Sequence, residues 1–290
     1  MSKVFLVTGS ARGLGRDITE AALAAGHRVV AAARRPEQLG DLAAAHGDRI
    51  HPVALDVTDR AAAEAAVRAA VDTYGRLDVV VNNAGYANLA SVEDITDEDF
   101  RAQVDTNLFG VVNVTKAALP VLREQGAGHI IQISSIGGRL ASVGLSAYQA
   151  AKWAVGGFSE VLAQEVGPLG IKVSVLEPGG MTTDWAGSSM AVPPVSEPYR
   201  ATVGVRAEAM RGGGPAAAGD PAKVARVVLD VAAMDEPPLR LILGSDAYRY
   251  AGLAAETRAA SDARWREVSV STDRDDATAA ELDPLGTHTS

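Results

Sequence analysis

The chain has 290 residues, enough for one large α/β domain or two small ones with a full core. Its formal charge of −9, from 27 Lys and Arg against 36 Asp and Glu, argues against a general nucleic-acid surface, which would be basic. With no cysteine, disulfides, thiolate metal sites and cysteine nucleophiles are excluded, and no metal ion is expected.

The first residues, MSKVFLVTGS, lead directly into a strand, with no basic region, apolar region and cleavage site of a secretory signal. Apolar runs elsewhere are of strand length, too short to span a bilayer as helices. The expectation is a cytoplasmic protein with neither a membrane nor a nucleic acid as partner.

Val4 to Thr8 is an apolar, β-branched run that reads as a buried strand. Thr8-Gly9-Ser10-Ala11-Arg12-Gly13-Leu14-Gly15 follows, and then an alanine-rich helix to about Ala25. Strand, glycine turn and helix is the order that seats a phosphate on a helix N-terminus, with glycines letting the backbone approach a pyrophosphate. The spacing is G-x-x-x-G-x-G rather than G-x-G-x-x-G.

His27 to Ala33 is the second strand, and Arg34-Arg35-Pro36 follows it. An acid at this place would bind a ribose 2′-hydroxyl, whereas an arginine accommodates a 2′-phosphate. No Asp or Glu stands between Gly26 and Pro36, while Arg34 does, and Arg12 can join it from the glycine turn. NADP(H) is therefore preferred over NAD(H), which stays possible; the alternative is that Arg34 and Arg35 are solvated loop charges.

Arg49 to Leu55 is the third strand, closed by Asp56-Val57. Asp56 has two readings, a cap for the helix starting near Asp59 or a partner for an adenine amine. A helix from Thr58 to Tyr74 and a fourth strand from Leu77 to Val81 lead to Asn82-Asn83-Ala84-Gly85, where buried asparagines need every polar atom paired and so read as a clamp under a cofactor. One long helix is expected over Asp97–Glu124, with Asn107 in its middle among apolar neighbours.

His129 to Ser134 is the fifth strand, and Ser135 closes it. In the helix Tyr148–Val166, Tyr148 and Lys152 stand four apart and therefore share a face. The ammonium is expected to lower the phenol's pKa and make it a proton donor near neutral pH, with Ser135 bonding the same substrate oxygen. Alone, Tyr-x-x-x-Lys on a helix carries no such meaning.

Ile171 to Leu176 is the sixth strand, ending in Glu177-Pro178-Gly179-Gly180-Met181-Thr182-Thr183-Asp184. From Gly179 to Gly214 the periodicity weakens, as in a lid or binding loop. A helix over Asp220–Met234, a seventh strand over Leu239–Leu243 and a helix from Asp246 to about Val268 complete the pattern. Residues 269–290 read as a polar tail, a flexible end or a partner-bound arm. Alternating strands and helices without a linker give one α/β domain, 1–268: a single Rossmann-type doubly wound parallel sheet of seven strands with helices on both faces.

Together these motifs resemble the single-domain branch of the short-chain dehydrogenase/reductase family. The matching residues are Thr8-Gly9-x-x-x-Gly13-x-Gly15, Asp56, Asn82-Asn83-Ala84-Gly85, Asn107, Ser135, Tyr148-x-x-x-Lys152 and Pro178-Gly179, in the family's order over Lys3 to about Ser245. The resemblance implies Tyr148 as general acid or base, Lys152 as its partner and holder of the nicotinamide ribose, Ser135 orienting the substrate and Asn107 holding a water that links Lys152 to solvent. It implies a cofactor site of Gly9, Ser10, Arg12, Gly13, Leu14, Gly15, Arg34, Asp56, Val57, Asn83, Ala84, Gly85, Tyr148, Lys152, Pro178, Gly179, Met181 and Thr183. It also implies a homodimer or homotetramer formed through the two long helices. The substrate wall is expected at Tyr86, Gly137, Arg139, Leu145 and the Gly179–Gly214 loop, where Trp185 and Met190 either meet a medium-sized apolar or aromatic substrate or pack under the loop and touch no ligand, with Arg139 either meeting an acidic group or solvated. The expected activity is NADPH-dependent reduction of a ketone or aldehyde, a small-molecule substrate; the alternatives are oxidation of a secondary alcohol and a non-catalytic NADP(H)-binding sensor.

Overall fold

Short apolar runs separated by glycine turns and alanine-rich helices leave the backbone one economical arrangement, parallel strands joined by helical crossovers. The strands are β1 (Val4–Thr8), β2 (Arg28–Ala33), β3 (Ile50–Ala54), β4 (Val79–Asn82), β5 (Gly128–Ile133), β6 (Ile171–Pro178) and β7 (Arg240–Leu243). They form one sheet in the order β3-β2-β1-β4-β5-β6-β7, each strand parallel to its neighbours. The structure, a computed structural model, describes residues 2–181, 190–211 and 217–284.

The helices are α1 (Gly13–Ala24), α2 (Gly40–His46), α3 (Arg60–Tyr74), α4 (Asp97–Val104), α5 (Gly110–Gln125), α6 (Ser146–Val166), α7 (Val205–Arg211), α8 (Pro221–Ala233), α9 (Ser245–Arg264), α10 (Arg266–Val270) and α11 (Ala279–Leu282). The pleat of the strands divides the core between two layers. Phe5 and Val7 of β1 face Ile18 and Leu23 of α1 and Val228 of α8. Val4 and Leu6 face Val67 of α3, Val114 of α5 and Leu162 of α6. The expected doubly wound sheet with helices on both faces is therefore the observed one. Pro52 sits in β3, at the sheet's edge, where a missing N–H costs no ladder bond.

Helix starts follow the expected chemistry. Asp59 accepts from the N–H groups of Ala61 and Ala62 at the head of α3, and Asp220 accepts from Ala222 and Lys223 with Pro221 in the first turn of α8. The strand order reverses between β1 and β4, which opens a crevice at their C-terminal ends.

Four sequence expectations change. The helix expected over Asp97–Glu124 is interrupted: α4 ends at Val104, a π-helical turn spans Asp105–Phe109, and α5 begins at Gly110. The turn directs Asn107 inward, where its amide donates to the Gln103 carbonyl of the preceding turn and to the distant Tyr86 carbonyl. α2, with Leu42 its one buried residue, showed too little apolar periodicity to be read. Within the expected loop, α7 packs Ala207 inward. The polar tail contains α11, opened by a capping box in which Thr278 and Glu281 each bond the other's backbone N–H.

The chain divides into two units, Met1–Tyr250 and Ala251–Ser290. The first unit contains the whole sheet. From Gly252 onward nearly every described residue is exposed. No helix among the described residues is long and apolar enough to cross a membrane.

Candidate active site

The glycine turn is clamped from below. Thr8 Oγ1 accepts from the backbone N–H of Asn83 and of Ala84, both at 3.0 Å, and Asn83 Nδ2 donates to the Thr8 carbonyl at 2.9 Å. Asn83 and Ala84 thus hold the turn, while the buried Asn82 donates to Thr115 and Gln132 but leaves its Oδ1 without a partner, against the expectation that every polar atom be paired. Gly9 has φ +70°, and a Cβ on Gly15 would lie 2.2 Å from the Gly9 carbonyl oxygen, so the turn closes on glycine alone. Gly13, at φ +53°, opens α1. Arg12 occupies the N-cap without a side-chain cap bond, leaving the first-turn N–H groups of α1 without side-chain partners. Ser10 is buried and spends its hydroxyl proton on the Val7 carbonyl, and Leu14 is turned into the core.

Arg34 is exposed at the end of β2, and neither Arg12 nor Arg34 forms an ion pair with a described residue. By contrast Arg16, one turn into α1, is bonded to Glu20 and Asp41. Asp56 Oδ1 accepts from the backbone N–H of Thr58 at 3.0 Å and from its hydroxyl at 2.7 Å. The Thr58 backbone bond chiefly holds this carboxyl below its usual range, with a smaller contribution from Arg34's charge. The helix cap is Asp59, which removes the cap reading of Asp56. Val57 packs against Gly110, where a Cβ would lie 2.5 Å from Val57 Cγ2, and its carbonyl accepts from Asn113.

Ser135 follows β5 and caps a 3-10 turn, Ile136–Gly138, its Oγ accepting from the Gly137 N–H at 3.0 Å. Tyr148 and Lys152, in the first two turns of α6, are 6% and 4% exposed. The Ser135 side chain acts on the Tyr148 phenol, pulling its pKa down. Lys152 Nζ donates to the Ile133 carbonyl at 2.9 Å and lies 5.6 Å from the centre of the Tyr148 ring.

Here the electrostatics correct the sequence reading. Burial pushes the Tyr148 phenol up to about 12, with Ser135 pulling the other way, and burial draws Lys152 down to about 8. The expected lowering of the phenol by Lys152 does not prevail, because both groups lose water and the ammonium is bonded to a backbone carbonyl.

Asn107 is fully buried in the π-helical turn. Its Nδ2 donates to the carbonyls of Tyr86 and Gln103, each at 2.8 Å, and its Oδ1 is buried without a partner. A Cβ on Gly85 would lie 2.5 Å from that oxygen and 3.6 Å from Lys152 Nζ, so glycine lets Asn107 and Lys152 approach the same point.

Of the expected substrate residues, Leu145 and Met190 join Tyr148 in a small third apolar cluster with Leu89 and Val203. Gly137 lies beside Ser135 and Gln149. Tyr86 is half-buried and gives its carbonyl to Asn107. Trp185 and Thr183 lie outside the described residues. Arg139 is partly exposed but not a free loop charge: its Nε is 2.7 Å from Oε2 of the buried Glu177. Pro178 ends β6, a Cβ on Gly179 would lie 2.3 Å from Asp246 Oδ1, and Met181 bridges to Gly219.

Sequence reasoning missed three supports. Gln149 braces the loop ahead of α6, donating to the Leu140 carbonyl and accepting from the Ser142 N–H. Asp246 accepts from the Gly180 N–H at 2.9 Å. Glu177 was legible only as a charge inside an apolar strand. A cleft of about 340 Å³ beside Asn88, Asp99 and Pro193 is not lined by Ser135, Tyr148 or Lys152.

A turn closed to side chains beneath a helix N-terminus and an orphaned Asn107 oxygen near Lys152 fit a bound nicotinamide dinucleotide. Residues 3–192 match the family model described as short chain dehydrogenase. The chain is 59% identical over 271 residues to the oxidoreductase BOA17 of Botryotinia fuckeliana, covering 93% of this chain and 99% of that one. A short-chain dehydrogenase from Streptomyces avermitilis superposes with a TM-score of 0.87 at 39% identity, over 94% of this chain and 100% of its own. A short chain dehydrogenase from Burkholderia cenocepacia, solved in complex with NADP, superposes with a TM-score of 0.71 at 28% identity, over 91% of this chain and 97% of its own. Sheet order, site geometry and these likenesses agree, and the chain belongs to the short-chain dehydrogenase family of NAD(P)-dependent oxidoreductases.

Proposed function

We propose that the protein reduces a ketone or aldehyde to an alcohol with NADPH, and that Tyr148 is the proton donor. The observation that carries this reading is the set itself: Tyr148 and Lys152 buried together with Lys152 Nζ 5.6 Å from the ring centre, and the half-buried Ser135 acting on the phenol. NADPH rather than NADH is supported by Arg12 and Arg34, which have no ion pair with a described residue, and by the NADP complex of the Burkholderia relative.

When bound, NADPH supplies the hydride. Ser135 Oγ and the Tyr148 hydroxyl hold the carbonyl oxygen, and Tyr148 gives that oxygen its proton as negative charge develops there. The charged Lys152 stabilises the phenolate left behind. The Asn107 Oδ1, buried near Lys152, holds a water through which the proton is replaced. Leu145, Met190 and Leu89 around Tyr148 suit a medium-sized apolar substrate. Exposed apolar residues on the two long helical segments, Phe109 beside α5 and Trp153 and Val161 on α6, suit association into a homodimer or homotetramer.

Tyr148→Phe tests the reading. It is expected to lower turnover roughly 10²- to 10⁴-fold while still binding NADPH. Wild-type turnover in a variant that binds NADPH would remove Tyr148 as the donor.

A further inference from the structure

Glu177 is fully buried at the end of β6, and the proton-transfer set makes no use of it. A buried carboxylate persists only with close partners, and two arginines supply them. Arg139, in the loop that follows Ser135, places Nε 2.7 Å from Glu177 Oε2. Arg240 of β7 places Nε 3.2 Å from Oε1, and its Nη2 bonds the same oxygen. Arg240 Nη1 then reaches Glu160 Oε1 of α6 at 2.7 Å. The guanidinium passes over Gly156, where a Cβ would lie 3.1 Å from Nη2, so α6 is bare one turn beyond Lys152.

These four charges tie together the elements that carry the Ser135–Tyr148–Lys152 set and the turn after β6. Arg139 belongs to the Ser135 loop, Glu160 to the helix of Tyr148 and Lys152, and Glu177 to the strand that continues into Pro178 and Gly179. The turn after β6 is held from its other side by Asp246, which accepts from the Gly180 N–H. An apolar side chain in place of Glu177 would fill the space. It would not reproduce two directional, charge-assisted bonds that fix one loop against one strand.

We propose that Glu177 is a positioning residue. Through Arg139 and Arg240 it sets the spacing between the Ser135–Tyr148–Lys152 oxygen site and the Pro178–Gly179 turn assigned to the cofactor. This rests on the carbonyl-reductase reading above for its kinetic consequence, though not for the coupling itself.

The test uses the full chain with Glu177→Gln, Arg139→Met, the double variant and Arg139→Lys. Hydrogen exchange is followed in peptides covering residues 135–140 and 178–181, and kinetics use NADPH and its 4-deuterated form. Both single variants are expected to speed exchange in both peptides, including the distant one: 135–140 for Glu177→Gln and 178–181 for Arg139→Met. They should bind NADPH within roughly threefold of wild type. They should lower kcat roughly 10- to 100-fold with little change in the carbonyl KM, and raise the deuterium isotope effect. The double variant should be no worse than either single one, and Arg139→Lys should recover part of the loss. If Glu177→Gln does not fold, Arg139→Met, at a partly exposed position, decides the matter. Exchange unchanged in the distant peptide, or additive losses in a folded double variant, would overturn the proposal. Should wild type turn over no carbonyl, the reductase reading fails, while coupled exchange in the two peptides still supports the role of Glu177.

Discussion

Burial sets the charge states of both Tyr148 and Lys152, and that decides how the pair behaves with pH. The phenol, pushed up to about 12, keeps its proton over the working range, whereas Lys152, drawn down to about 8, titrates within it. Turnover is therefore expected to fall as pH rises through about 8, where Lys152 loses the charge that stabilises a phenolate. Stability moves the opposite way. The unfolded lysine holds its proton up to 10.5 and the folded one only to about 8, so this group makes the fold more stable as pH rises between them. A pH profile of kcat/KM beside a melting profile tests this: activity lost above pH 8 without a parallel loss of melting temperature is expected. A flat activity profile through pH 9 would contradict it. Ser135, Tyr148 and Lys152 were legible because a strand end and an i, i+4 helical pair are spacing signals. The direction of the Tyr148 shift was not, since spacing says nothing of how much water a phenol loses. Arg139 was misread because its partner, Glu177, lies 38 residues away.

Strand, glycine turn and helix could be read from eight residues because the φ of +70° at Gly9 and the press of Gly15 on the Gly9 carbonyl are local, whereas the closure of Asn83 and Ala84 over Gly9 is not. The interruption of the long helix could not. The π-helical turn at Asp105–Phe109 exists because Asn107 finds the Tyr86 carbonyl, a tertiary contact 21 residues distant. β5 carries a different consequence of burial. His129 is enclosed, its Nε2 lies 3.0 Å from Ser174 Oγ, and Ser174 donates to the Pro238 carbonyl. Desolvation, with the charges of Lys172 and Lys3, draws His129 from 6.5 down to about 4. The unfolded chain then binds the proton first, so stability is fully present above about 6.5 and is lost as pH falls toward 4, by about 3 kcal/mol in all. Denaturant melts between pH 7 and 4 are expected to lose stability in that window, and His129→Phe should flatten that part of the profile. An unchanged slope in the variant would assign the acid sensitivity elsewhere.

At the scale of the molecule, alternation of strand and helix was enough to predict a doubly wound parallel sheet, because parallel strands require crossovers and crossovers cover both faces. Alternation does not state that order reverses between β1 and β4; that follows from how the helices pack. Nor did composition reveal α11, although its Thr-x-x-Glu start was present in the sequence. The outer face of α6 has Trp153 and Val161 exposed around Gly157, which has open space above it. Light scattering after size-exclusion chromatography is expected to give a dimer or tetramer, and Trp153→Glu with Val161→Glu to give a smaller species that keeps its fold. A monomeric wild type would contradict the assembly.

The most direct test of the account is NADPH oxidation by the wild-type protein, with NADH in parallel, across ketones, aldehydes, β-keto esters, quinones and keto steroids. Tyr148→Phe serves as the blank. The account predicts turnover of at least one carbonyl, faster with NADPH than with NADH, that disappears in the variant while NADPH binding persists. Turnover that survives Tyr148→Phe, or NADPH binding with no carbonyl reduced, would contradict it.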